Sequence, residues 1–80
     1  MKPTKRFIYR KVTIVKRPVE GFGLNISKGA WISKDFFNRG LEGFRIIGVN
    51  GKRIRNQEQA VKRLAVLCDG VKATLSLMVA

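Results

Sequence analysis

The chain has 80 residues, with 17 lysines and arginines against 5 acids, a net charge of +12, no histidine and one cysteine. This length makes one small domain, able to bury roughly 60% of its unfolded surface. A lone Cys68 excludes an internal disulfide and a multi-cysteine metal site, and favours a reducing compartment.

Residues 1–6 are basic and polar and contain Pro3, which predicts a tail. They lack the apolar stretch of a signal peptide, and no apolar run reaches the roughly 20 residues needed to span a bilayer. The expected location is therefore cytoplasmic, with the inner face of a membrane as a possible docking place. Residues 1–9 are assigned to the tail and the start of the first strand, and residues 10–80 to a single domain. From 7 to 16, β-branched and aromatic residues alternate with charge, and Val12 and Ile14 share one face of a strand. Arg17-Pro18-Val19-Glu20 breaks it.

Gly21-Phe22-Gly23-Leu24 comes next and opens the apolar segment 22–26. Two glycines permit positive φ and leave amide N–H groups uncovered, a geometry that suits a carboxylate. Strand period puts Phe22, Leu24 and Ile26 on one face beside that anion site. Ser27-Lys28-Gly29 predicts a tight hairpin into a third strand over 30–33, and residues 35–40 a single helical turn capped by Asp35. Trp31, Phe36 and Phe37 fall where a small core needs them.

Residues 44–49 form the next predicted strand, and Asn50-Gly51 is a strong type I′ hairpin signal. From Asn56 to Cys68 the period becomes helical, with Ala60, Val61, Leu64 and Cys68 on one stripe and Cys68 read as a small buried hydrophobe. Asp69-Gly70 stops the helix. Residues 71–79 alternate Val71, Ala73, Leu75, Leu77 and Val79 against Lys72, Thr74 and Ser76, a final strand. The fold class expected is α+β, mostly β: a small, partly open antiparallel barrel or sandwich of five to six strands capped by one main helix.

Catalysis has few groups to use. The five acids form no pair that spacing alone would converge, and without histidine the usual base is missing. Gly21-Phe22-Gly23 lacks the third glycine of a dinucleotide fingerprint and opens a strand. The expectation is a binding module without catalytic residues, metal or cofactor.

Three segments in this order resemble a PDZ domain, over nearly the whole chain from about Arg10 to Val79. They are Gly21-Phe22-Gly23-Leu24-Asn25-Ile26, Arg45-Ile46-Ile47-Gly48-Val49-Asn50-Gly51 and Gln57-Glu58-Gln59-Ala60-Val61-Lys62-Arg63-Leu64. The resemblance implies a cytoplasmic interaction and signalling scaffold that captures the C-termini of partner proteins by strand addition. It implies that the N–H groups of Phe22, Gly23 and Leu24 hold the terminal carboxylate. It also implies that Phe22, Leu24, Ile26, Val61 and Leu64 line a pocket for the last side chain, with Asn25 on the receiving strand. Lys16 or Arg17 would add positive charge behind the loop. Where many members carry a histidine at the start of the peptide-facing helix, this chain has Gln57, and the loops around the groove are cut short. Such trimming would also suit exchange of strands between two chains.

The charge opens further readings. Acidic residues upstream in a peptide would be favoured. Alternatively, Arg10, Lys11, Lys52, Arg53 and Arg55 would form a patch for anionic membrane lipid such as phosphoinositide. Nucleic acid ranks below both, because no stacking platform or nucleic-acid motif is present.

Overall fold

The structure, a computed structural model, describes residues 8–79. The elements run in the order β1 (Ile8–Val15), β2 (Leu24–Ser27), β3 (Trp31–Asp35), β4 (Arg45–Val49), β5 (Lys52–Arg53), α1 (Gln57–Ala65) and β6 (Lys72–Val79). The predicted tail over residues 1–6 lies outside the described residues, as does residue 7 at the predicted start of the first strand. The fold is α+β and mostly β: one antiparallel sheet in the order β1-β6-β4-β3-β2, with β5 paired to β4. The sheet does not close, so β1 and β2 end it on opposite sides.

Alternation explains why β6 is central. Ala73, Leu75 and Leu77 are fully buried, while Lys72 before them and Thr74 between the first two are exposed. On one side β6 pairs Val12 with Leu75 and Ile14 with Ala73 of β1 and β6 respectively. On the other it pairs with β4, whose Ile46 and Val49 are buried, through a register shift between Ile46 and Gly48. A Cβ on Gly48 would lie 3.3 Å from the Ser76 side chain, so the smallest residue sits where the two strands crowd.

The hairpin between β4 and β5 turns on Asn50 and Gly51, both at positive φ (50° and 80°), as a type I′ turn demands. Asn50 also ties this turn to β6. Its backbone N–H donates to the Thr74 carbonyl and its side-chain oxygen accepts from the Thr74 N–H, each at 2.8 Å. Helix α1 starts with two side-chain caps: Asn56 Oδ1 accepts from the Gln59 N–H, and Gln59 Oε1 accepts from the N–H of Arg55, the residue before the N-cap. Ala60 and Leu64 are its buried residues.

Several expectations give way to the tertiary structure. α1 ends at Ala65, and Cys68, three residues beyond, is exposed rather than buried. Over residues 35–40, Asp35 belongs to β3, a single hydrogen-bonded turn closes from the Asn38 N–H to the Asp35 carbonyl at 3.2 Å, and bends rather than further helix follow. Trp31 (37% accessible) and Phe36 (61%) lie on the surface; the buried positions of β3 are Ile32 and Asp35, three residues apart because a register shift against Asn25 and Ile26 of β2 breaks the alternation. Val71 precedes β6 and is also exposed. No helix among the described residues is long and apolar enough to cross a membrane.

Replacing Asn50 with alanine should cost about 2 kcal/mol, through strain at positive φ and loss of the side-chain partner of the Thr74 N–H. Urea unfolding would measure it. A cost near zero would mean that the turn does not anchor β6.

Candidate functional site

The unpaired outer edge of β2, helix α1 and the loop before β2 enclose a cleft of about 350 Å³. Phe22, Leu24, Ile26, Val61 and Leu64 line it together with Lys16. Leu24 and Ile26 come from alternate positions of β2, Phe22 from the turn before it, and Val61 and Leu64 from one helix face. Phe22 and Leu64 are buried, Leu24 and Ile26 half-buried, and Val61 is 46% accessible, so the apolar wall is open on the helix side.

The loop bends back on itself before entering the strand. Arg17 and Gly21 exchange both backbone hydrogen bonds, 2.8 and 2.9 Å, around Pro18-Val19-Glu20. Gly21 and Gly23 stand at φ of 65° and 67°, and Val19, fully exposed, takes 68° without glycine's freedom. The peptide plane between Gly23 and Leu24 has a fixed direction: the Gly23 carbonyl accepts from Phe36 N–H at 2.8 Å, toward β3. In a trans peptide the Leu24 N–H therefore points away from β3, toward the cleft. The Gly23 N–H is partly engaged, donating to the Glu20 carbonyl over 3.3 Å.

Behind the loop lies a network that sequence reasoning did not assign. Asp35, 2% accessible, accepts hydrogen bonds from the N–H groups of Phe37, Arg39 and Leu41 and from Arg39 Nε. Arg39 Nη2 reaches on to the Phe22 carbonyl, and the guanidinium lies 5.0 Å from the Phe37 ring centre. The Phe37 ring closes over Gly23, where a Cβ would come within 2.5 Å of it. Gly23 is thus required twice, by its φ and by Phe37. Burial pushes the Asp35 carboxyl up, but the Arg39 guanidinium and the three backbone N–H groups outweigh burial and hold it below its ordinary value of 3.8. The only signal in the sequence was Asp35 itself, whose place before a loop fits a cap of either kind.

The two candidate support charges separate. Lys16 lines the cleft, but its ammonium donates to the carbonyls of Leu64 (3.3 Å), Ala65 (3.2 Å) and Leu67, closing the carboxyl end of α1. Its charge faces the cleft while its protons are in use. Arg17 lies outside the lining; its guanidinium stacks 3.9 Å from the Phe37 ring centre, and an exposed, 3.8 Å ion pair joins it to Glu20. Glu20 brings one negative charge to the rim.

Gln57 does not line the cleft. Its side-chain Nε2 donates to the Ile26 carbonyl at 2.9 Å, strapping the start of α1 to the outer edge of β2. Asn25 does line the cleft, while its side-chain amide donates to Ser33 Oγ on β3. Among the candidate surface cations, Arg10 lies 5.3 Å from the Phe44 ring centre, and Arg10, Lys11, Arg53 and Arg55 border depressions elsewhere on the sheet; Lys52 borders neither of them. No group of three or more metal-ligating side chains occurs among the described residues.

No protein-family model matches this chain, and no curated protein matches it.

The Asp35 network makes two testable statements. Because folding lowers the Asp35 pKa, its contribution to stability is complete above the ordinary value of 3.8 and is lost as pH falls through the lowered one. Asp35→Asn should flatten that acid limb, measured as melting temperature against pH. Asp35→Ala should cost about 3 kcal/mol at neutral pH, because Arg39 and three N–H groups lose their partner. An unchanged acid limb in Asp35→Asn would show that another group controls it.

Proposed function

We propose that the chain is a PDZ-like interaction module that takes the C-terminal peptide of another protein into the cleft between β2 and α1. One observation carries this reading: a free strand edge, an apolar cleft and a glycine turn with an outward N–H converge at one place. A peptide would pair with the outer edge of β2 and continue the sheet beyond it. Its carboxylate would lie at Gly21-Phe22-Gly23-Leu24, with the Leu24 N–H as the foremost donor and the Lys16 charge close by. Its last side chain, small and aliphatic to suit a cleft of about 350 Å³, would meet Phe22, Leu24, Ile26, Val61 and Leu64. Upstream acids would gain from the net charge of +12.

Gln57 adds a condition. The Ile26 carbonyl is an acceptor that an added strand would use, and the Gln57 amide holds it. The peptide would have to displace this strap, or end before reaching it.

The test is fluorescence polarisation with peptides ending in valine or leucine, each as free acid and as C-terminal amide. The acid should bind and the amide should lose most of the affinity. Equal binding of both would remove carboxylate capture from the proposal. Val61→Glu places a charge on the half-exposed wall and should abolish binding of the free acid while leaving the melting temperature nearly unchanged. Gln57→Ala should strengthen binding about fivefold, since it frees an acceptor worth about 1 kcal/mol. Weaker binding in that variant would instead make Gln57 a contact for the ligand.

A further inference from the structure

A second cleft, of about 420 Å³, opens on the sheet away from the peptide groove, and the two share no lining residue. Three arginines line it: Arg45 from β4, Arg53 from β5 and Arg55 from the segment before α1. None of the five acids of the chain borders it. None of the three arginines makes an ion pair among the described residues; the pairs there are Arg17 with Glu20, Arg39 with Asp35 and Lys62 with Glu58. Three arginines around one cleft with no acid beside them concentrate positive charge there, and a bound anion would offset it.

The backbone fixes this arrangement before any ligand arrives. Ile54 is buried and its N–H donates to the Ile47 carbonyl at 3.0 Å, which ties the segment after β5 to β4 and holds Arg53 and Arg55, on either side of Ile54, at the cleft that Ile54 also lines. Arg53 lies opposite Gly48 in the β4 ladder, and the Arg55 N–H is held by Gln59 Oε1 at 2.8 Å. Arg45 Nε donates to the Gly29 carbonyl at 2.9 Å, which orients the guanidinium and leaves its other donors available. An adjoining depression adds Arg10 and Lys11, and shares Tyr9 and Ile47 with the cleft.

We propose that this cleft binds the multiply phosphorylated headgroup of a membrane lipid. Arginine forks match phosphate oxygens in pairs, and three of them suit a compact anion with more than one phosphate. The volume fits one ring-sized polar group, whereas a nucleic-acid strand needs an extended track with stacking aromatics. The surface aromatics Trp31 and Phe36 do not border the cleft; Tyr9, 65% accessible, does, with Ile47 and Met78. A tyrosine with apolar neighbours beside cations is the side-chain composition of a membrane interface. This proposal is independent of peptide capture.

The experiment is vesicle sedimentation with the whole chain, using phosphatidylcholine alone, phosphatidylserine vesicles and phosphatidylinositol bisphosphate vesicles, the last two matched in surface charge. Bisphosphate vesicles should bind at least about tenfold more tightly than phosphatidylserine vesicles, beyond what bulk charge supplies to both equally. The double variant Arg53→Ala/Arg55→Ala should lose about 30-fold, about fivefold for each guanidinium. Lys28→Ala/Lys34→Ala removes the same charge elsewhere and should change binding less than about threefold. Circular dichroism melting of the arginine variant should match the parent chain, since both side chains are exposed. Equal binding to the two charged vesicles, or equal loss in the two double variants, would overturn the proposal. So would inositol trisphosphate in solution binding as tightly as the vesicles, or a single-stranded oligonucleotide binding more tightly than either.

Discussion

The buried carboxylate of Asp35 is the contact on which the groove side of this fold depends. Five hydrogen-bond donors from Phe37, Arg39 and Leu41 could not be left with water in a domain this small, and Asp35 collects four of their groups at one point. The loop after β3 is thereby wrapped around a charge instead of a core. Arg39 extends the network to the Phe22 carbonyl, so the turn carrying the glycines and the loop carrying Asp35 move as one unit. Phe37, held between Arg17 and Arg39, sits against Gly23 and leaves no room for a larger residue. A buried ion pair adds little net stability by itself, but removing one partner is costly, and this makes the loop conformation definite.

The same economy governs the basic residues. Part of the positive charge is structural: Lys16 closes the end of α1, Arg39 neutralises Asp35, and Arg10 and Arg17 rest on aromatic rings. Once these are set aside, Arg45, Arg53 and Arg55 stand out, because they converge without an acid. The distinction is one of partners and not of count. A net charge of +12 raises encounter with any polyanion. Only the placement of individual guanidinium groups separates a diffuse field from a cleft of defined shape.

Much of the strand plan was legible because it is local. The alternation of Ala73, Leu75 and Leu77 with Lys72 and Thr74 appears in β6 as buried against exposed positions, and Asn50-Gly51 makes its turn at positive φ. The stripe on α1 was legible for Ala60 and Leu64, but the periodicity ran on past the true end at Ala65 to Cys68. The N–H groups of Val66 and Leu67 close the last turn, and the Lys16 ammonium, from far back in the chain, occupies the last carbonyls. Trp31 and Phe36 show the complementary failure. Hydrophobicity suggested a core position, whereas β3 gives its interior to Ile32 and Asp35, three residues apart across a register shift against β2.

By itself, then, the sequence determined which segments are strands, where the hairpin turns, and that Phe22, Leu24 and Ile26 share a side as Val61 and Leu64 do, because each is a matter of backbone period or of φ within a few residues. Tertiary structure alone decided that these two faces meet across one cleft, that Gln57 reaches the Ile26 carbonyl 31 residues away, and that Arg39 reaches the Phe22 carbonyl 17 residues away. It likewise brought Arg45 beside Arg53 and Arg55. Such contacts depend on the path of the whole chain and on which polar groups are buried without water, and every buried donor or acceptor must then find a partner wherever the fold has placed one.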